Sequence, residues 1–291
     1  MPLYILYLLA AAFLWGTSFV AGKFAIGMTE APLVVLIRFM IASVFWLPVF
    51  FPAIRALPRG RLGSLTLLAF LMIPVTFLLQ FIGLHYTTAA STAVMIGFEP
   101  LMFVLVGWLL WGERLTALNL TFGALALTGV LLVMGWPQGA QFAGCALVLL
   151  STAVVAVWVR WSKPWMKEIG VKNFTALTTV IGTVLLVPFT AFLTTTWEIR
   201  WSGEGTIALL YLGVGCSFAA GWCWNKGIEG ASTNTGGLFL ALEPVFGVVV
   251  AALLLGEALG PIAIAGAGLV ILPVVLSAIL PWLRPRPTAS E

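Results

Sequence analysis

Residues 99–113 read EPLMFVLVGWLLWGE, and residues 243–257 read EPVFGVVVAALLLGE. The windows lie 144 residues apart and share eight of fifteen positions, with Glu99-Pro100 and Gly112-Glu113 returning as Glu243-Pro244 and Gly256-Glu257. Leu and Val recur by composition alone in an apolar chain. Two acidic residues, a proline and a glycine at fixed spacing do not, so the windows are copies of one structural unit. Gly83 and Gly227 keep the same offset, and Gly123 meets Gly266 after a one-residue deletion, so the repeat extends on both sides of the window.

The surrounding sequence says what the copies are embedded in. Of 291 residues, 62% are hydrophobic and 8% charged, far from the roughly 45–50% apolar and 25% charged of soluble domains. Apolar runs separated by Gly, Pro and charge clusters predict ten membrane-spanning helices: 3–26, 31–51, 63–84, 89–110, 117–135, 142–161, 174–194, 206–224, 232–255 and 261–282. The first run has no basic segment before it and is too long for a cleavable leader, so it is read as the first span. With both termini on one side, that side's loops collect Arg55, Arg59, Arg61, Arg114, Arg160, Lys163, Lys167, Lys172, Lys226, Arg284 and Arg286, against Arg200 alone opposite. By the positive-inside rule both termini are cytoplasmic. Trp46, Trp111, Trp136, Trp161, Trp165, Trp201 and Trp282 fall near span ends and read as headgroup anchors.

Five spans per copy is an odd number, so the second copy enters the bilayer from the opposite face. The expected fold is all-α, with residues 1–138 and 139–283 as two inverted-topology five-helix repeats and 284–291 as a short cytoplasmic tail. Inverted repeats place a substrate site at their interface near the midplane, and rocking of one part against the other alternates access to it.

Several function classes are excluded. The basic residues form no stripe for nucleic acid. Cys145, Cys216 and Cys223 have no metal-ligand spacing, and one His with no Asp supplies neither a hydrolytic constellation nor a metal site, so no cofactor is expected. Gly16 to Gly22-Lys23 lacks the spacing and the hydroxyl of a phosphate loop.

The two Glu-Pro-x11-Gly-Glu segments, Trp15-Gly16, Arg38 and Gly112-Glu113-Arg114-Leu115 together resemble the EamA type of the drug/metabolite transporter superfamily, over nearly the whole chain. Within it the chain is most similar to bacterial amino-acid exporters of the YddG type. The resemblance implies a multi-pass protein of the bacterial inner membrane that exports aromatic or other neutral amino acids and related metabolites. The second half departs from the pattern: Val154, Val155 and Ala156 stand where a second Trp-Gly belongs, and Thr178 or Thr179 where Arg38 has its counterpart. The scaffold is therefore symmetric and the site is not.

Glu99, Glu243 and Arg38 are the ionisable groups deepest in spans, where charge is costly and needs a partner. Pro100 and Pro244 cannot donate to Ile96 and Leu240, which predicts a kink and a freed carbonyl beside each carboxyl. Each carboxyl then either binds an ammonium group or a proton, or locks packing around its kink. Arg38 reads as a structural or gating residue, with Glu99, or Glu30 near the same face, as its ion-pair partner; the alternative is a carboxylate-binding role. Glu113 and Glu257 read as caps of the following helices. Under the exporter reading, Trp15, Thr17, Gln80, Trp158 and Asn225 join Glu99 and Glu243 as substrate contacts. Two alternatives stand beside this: a multidrug exporter of lipophilic cations, and, from another class, an integral-membrane enzyme or scaffold. The expected partners are the lipid bilayer and a small molecule; a monomer satisfies the reading.

Overall fold

The computed structural model describes residues 3–114, 116–134, 139–229, 239, 242–257 and 259–283, and every regular element among them is a helix. These are α1 (Leu3–Ile26), α2 (Ala31–Ala56), α3 (Leu62–Tyr86), α4 (Ala89–Ile96), α5 (Glu99–Trp111), α6 (Ala117–Met134), α7 (Gly139–Ile169), α8 (Val171–Leu193), α9 (Gly203–Glu229), α10 (Glu243–Leu255) and α11 (Pro261–Leu283). By length and composition α1, α2, α3, α7, α8 and α9 can each cross a membrane alone, and α4 with α5 makes a seventh, broken span bent by 43°. The remaining apolar stretches are shorter: Leu120–Val133, Glu243–Leu255 and Pro261–Pro273. Most of the first half of the expected ninth span, the 284–291 tail and Trp136 lie outside the described residues, as does the Trp282 side chain.

The repeated motif turns out to be one complete half-helix. Glu99 and Glu243 are the first residues of α5 and α10, each of thirteen residues, with proline in the opening turn. A prolyl nitrogen has no proton to donate and costs nothing there, because the first N–H groups of a helix have no acceptor within it. The far ends are set by Gly112 and Gly256, both at φ 65°. In that left-handed conformation the Glu113 N–H reaches the Gly107 carbonyl at 3.3 Å, and the Glu257 N–H reaches that of Ala251 at 3.3 Å. This closes both helices in the same way. Thirteen residues span about 20 Å, short of the roughly 30 Å hydrocarbon core.

The kink expected at Pro100 is thus a break. The Gly97 N–H still bonds to Ala93 at 3.1 Å, the Phe98 N–H tightens onto Met95 at 3.1 Å, and α5 restarts at Glu99. Leu240, the corresponding carbonyl before Pro244, lies outside the described residues.

Helices of the first half pack chiefly on helices of the second. Helix α1 lies against α9 and α10, α7 lies against α3 and α5, and α2–α8, α2–α9, α3–α8, α4–α10 and α6–α11 are further extensive cross-half pairs. The first two relations exchange roles between halves, as two facing repeats must. At the α1–α10 crossing a methyl group on Gly16 would collide with the Glu243 carbonyl oxygen and lie 2.9 Å from Phe246 Cβ, so only hydrogen fits.

Three expectations change. Helix α7 runs 31 residues, which places Arg160, Lys163 and Lys167 on a helix extension instead of a loop. Trp46 is 4% exposed, packed on Phe218 and Trp222, and Trp165 is 6% exposed under the Arg61 guanidinium; neither is a headgroup anchor. Trp161 and Trp201 are exposed, at 42% and 69%. Glu30, expected as a possible partner of Arg38, instead clasps the α8–α9 loop. It accepts from the Thr195 hydroxyl (2.6 Å) and N–H (2.9 Å) and from the Thr196 hydroxyl and N–H (2.7 Å each). These bonds, the Thr195 hydroxyl first, hold its carboxyl down to about 2.

Candidate functional site

Two small chambers lie side by side at the centre of the bundle. Both are walled by Trp15 of α1, Met72 and Phe77 of α3, Trp158 of α7 and Trp224 of α9. The first also contains Glu99, Glu243, Gln80 and Phe103; the second contains Asn225, Ser217, Cys216 and a row of threonines from α8. Each holds about 50 Å³ of free space, room for only a few waters. Both chambers are narrow in this structure.

Backbone irregularity builds the first chamber. Glu99 and Glu243 are 7% and 5% exposed, each opening a half-helix whose free N–H groups form the positive end of a dipole. A Cβ placed on Gly97 would lie 3.0 Å from Pro244 Cγ, so the two openings abut. Helix α3 passes the chamber in a π-helical stretch, Leu71–Phe77, that contains Pro74. The wider register accommodates the proline, and the Thr76 hydroxyl donates to the Leu71 carbonyl five residues back at 2.8 Å.

Helix α9 has a second π-helical stretch, Tyr211–Ala219. It ties α1 in place: the Trp15 indole N–H donates to the Cys216 carbonyl at 3.1 Å, and the Cys216 thiol donates to the Leu14 carbonyl at 3.1 Å. Trp15 therefore offers the chambers its ring, stacked 5.5 Å from Trp224. Trp158 does offer a donor, because its Nε1 is buried with no hydrogen-bond partner among the described residues.

The second chamber is polar without carboxylates. Asn225 is 5% exposed; its amide N–H donates to the Thr175 hydroxyl at 2.8 Å, and its Oδ1 has no partner among the described residues. Thr175, Thr178 and Thr179 share one face of α8 at i, i+3, i+4 spacing.

Of the seven residues expected to contact substrate, Trp15, Gln80, Glu99, Trp158 and Glu243 line the first chamber and Asn225 lines the second. Thr17 faces elsewhere: its hydroxyl pairs with the Tyr211 hydroxyl at 2.6 Å and donates to the Phe13 carbonyl at 2.9 Å, in a groove between α1, α9 and α10. Pro100 and Pro244 shape the half-helix starts. Arg38 makes no ion pair with Glu99; its Nε donates to the Ser217 hydroxyl at 2.7 Å. Glu113 pairs with Arg160 of α7, and Glu257 Oε2 accepts from the Ala90 N–H at 3.0 Å. Both acids bridge the two halves, and among the described residues neither accepts a hydrogen bond from the helix that follows it. The α8 threonine face and Ser217 were missed. The i, i+3, i+4 spacing of hydroxyls in an apolar span was the available signal for the first; Ser217 had none.

The sequence profile of the EamA-like transporter family matches residues 2–135 and again 142–279. An uncharacterized transporter of Haemophilus influenzae is 40% identical over 116 residues, which is 40% of this chain and 68% of that protein. One from Archaeoglobus fulgidus is 24% identical over 266 residues, 90% of this chain and 94% of the other. The uncharacterized transporter YetK of Bacillus subtilis is 22% identical over 268 residues, 86% of this chain and 79% of that one. A crystal structure at 19% identity superposes with a TM-score of 0.68, covering 97% of this chain and 99% of that chain, a likeness of fold.

Proposed function

The chain belongs to the EamA-like transporter family, and from that premise we propose that it exports aromatic or other neutral amino acids and related metabolites across a bacterial inner membrane by alternating access. In this reading residues 1–138 and 139–283 are oppositely oriented five-span repeats, and both termini and the 284–291 tail are cytoplasmic. The exchange of helix partners between halves supports two facing repeats.

The observation that carries the reading is the first chamber: two carboxylates, each opening a half-helix, among indole rings and one amide. Buried carboxylates attract an ammonium group or a proton, and aromatic walls accept the apolar remainder of an amino acid. The small free volume supports a closed state from which one part of the bundle must move to admit cargo. Arg38, Pro100 and Pro244 hold or hinge the elements around it, and a monomer contains the whole site.

Purified protein in liposomes preloaded with mixed labelled metabolites tests this. Neutral amino acids are expected to leave, at least about tenfold more slowly with Glu99→Gln or Glu243→Gln, since one lost charge-assisted contact exceeds 1.4 kcal/mol. Absence of any net amino-acid or metabolite flux sinks the proposal. Transport of a lipophilic dye that amino acids do not compete with redirects it to a multidrug exporter. Efflux that ignores an imposed pH gradient and survives both substitutions eliminates proton exchange.

A further inference from the structure

Arg38 is fully buried, yet among the described residues only its Nε has a partner. Nη1 and Nη2 are both buried and unpaired, and the three ion pairs formed among those residues, Arg61–Glu168, Arg160–Glu113 and Lys226–Glu229, all lie elsewhere. What surrounds the guanidinium is aromatic: the Phe39, Phe77 and Phe81 ring centroids stand 5.4, 5.0 and 4.9 Å from its central carbon. Aromatic faces offset part of the desolvation of a cation, but they leave four N–H groups without acceptors. A guanidinium keeps its proton in such a place, so the charge lacks a counterpart.

Three of its contacts are also chamber walls. Ser217, Phe39 and Phe77 line the second chamber, so Arg38 stands one side-chain layer behind it. Across the same chamber Asn225 Oδ1 is an unpaired acceptor. One chamber thus has a buried, unsatisfied donor fork behind one wall and an unsatisfied acceptor in another, the pattern left when a ligand bearing both kinds of group is away.

We propose that Arg38 is the carboxylate-docking residue of the transport site: its two Nη groups bind the substrate carboxylate as a bidentate pair, reached from the second chamber when Phe39 and Phe77 yield, with Asn225 Oδ1 accepting one N–H of the ammonium group that the first chamber's carboxylates attract. This rests on the amino-acid reading above and narrows it, because the cargo must carry a free carboxylate. Planar two-point pairing is what a guanidinium does best with a carboxylate. A molecule that lacks the anion leaves the fork unpaired in a buried site, a penalty that separates ligands far more sharply than apolar fit does.

The test is binding by purified full-length protein in detergent, read as a shift in melting temperature and titrated for Kd. The ligands are neutral amino acids, their α-carboxamides and the matching decarboxylated amines. The free acids are expected to bind at least about tenfold more tightly than either analogue. Arg38→Gln is expected to bring the three classes to within about twofold, with Arg38→Lys intermediate because it keeps the charge and loses the fork. Equal binding of acid and carboxamide, undiminished acid binding by Arg38→Gln, or no binding of any free acid overturns the proposal. Should Arg38→Gln fail to fold, the wild-type series decides alone. The liposome efflux assay judges the exporter reading separately, so a protein that moves amino acids and ignores their carboxylate defeats this inference and leaves that reading standing.

Discussion

Glu99 restarts a broken span and Glu243 opens α10, and the residue that makes room for the latter is Gly16. A methyl group there meets the Glu243 carbonyl and Phe246 Cβ, so Gly16→Ala must push α1 away from α10. Overpacking of this kind costs about 1–3 kcal/mol; the melting temperature in detergent should fall and efflux with it. Gly123→Ala, at a position open beyond 4 Å, is expected to change neither. Glu30 makes a prediction in pH. Its carboxyl is held at about 2 against an ordinary value of 4.5, so the folded state prefers it ionised. The clasp therefore contributes fully above about 4.5 and fades as pH falls toward 2. Glu30→Gln should melt below wild type at pH 7, and the gap should shrink steadily in melts at pH 4 and pH 3.

At the scale of elements, the half-helix is the unit the sequence repeats, and its two ends can be tested independently. Gly112→Ala and Gly256→Ala force a Cβ into the left-handed conformation, at a cost of about 1–2 kcal/mol each, visible as loss of thermal stability. Pro100→Ala restores the missing N–H and lets α4 run into α5 toward the Ile96 carbonyl. The fold should tolerate it, because alanine suits a helix, while efflux should drop as Glu99 loses its place at a helix start. Unchanged efflux would separate the break from transport. The repeated motif was legible because its punctuation is local: a proline near one end, a glycine at the other, and a fixed count between them. That the proline gives a break and not a kink was not legible, since it depends on Gly97 packing against Pro244 from the other repeat.

At the scale of the molecule, the two acids after the half-helices bridge the repeats, Glu113 to Arg160 and Glu257 to the start of α4. The Glu113 and Arg160 side chains are half exposed, so Arg160→Ala should cost no more than about 1 kcal/mol. If that bridge holds one end of the bundle closed, the same variant changes the efflux rate far more than the melting temperature; comparing the two on one preparation checks it.

Some features follow from the chain alone: lipid as solvent, helices throughout and a repeated unit in each half. All are set by hydrophobic run length and by proline, glycine and charge acting on their own neighbourhoods. Which side chains meet at the centre was settled only by tertiary packing. A soluble helix announces its buried face by polarity, but a span in lipid is apolar all round. Nothing in the sequence therefore told that Thr17 turns to Tyr211 and away from the chambers, that Trp46 is core, or that Arg38 finds Ser217 from 179 residues away.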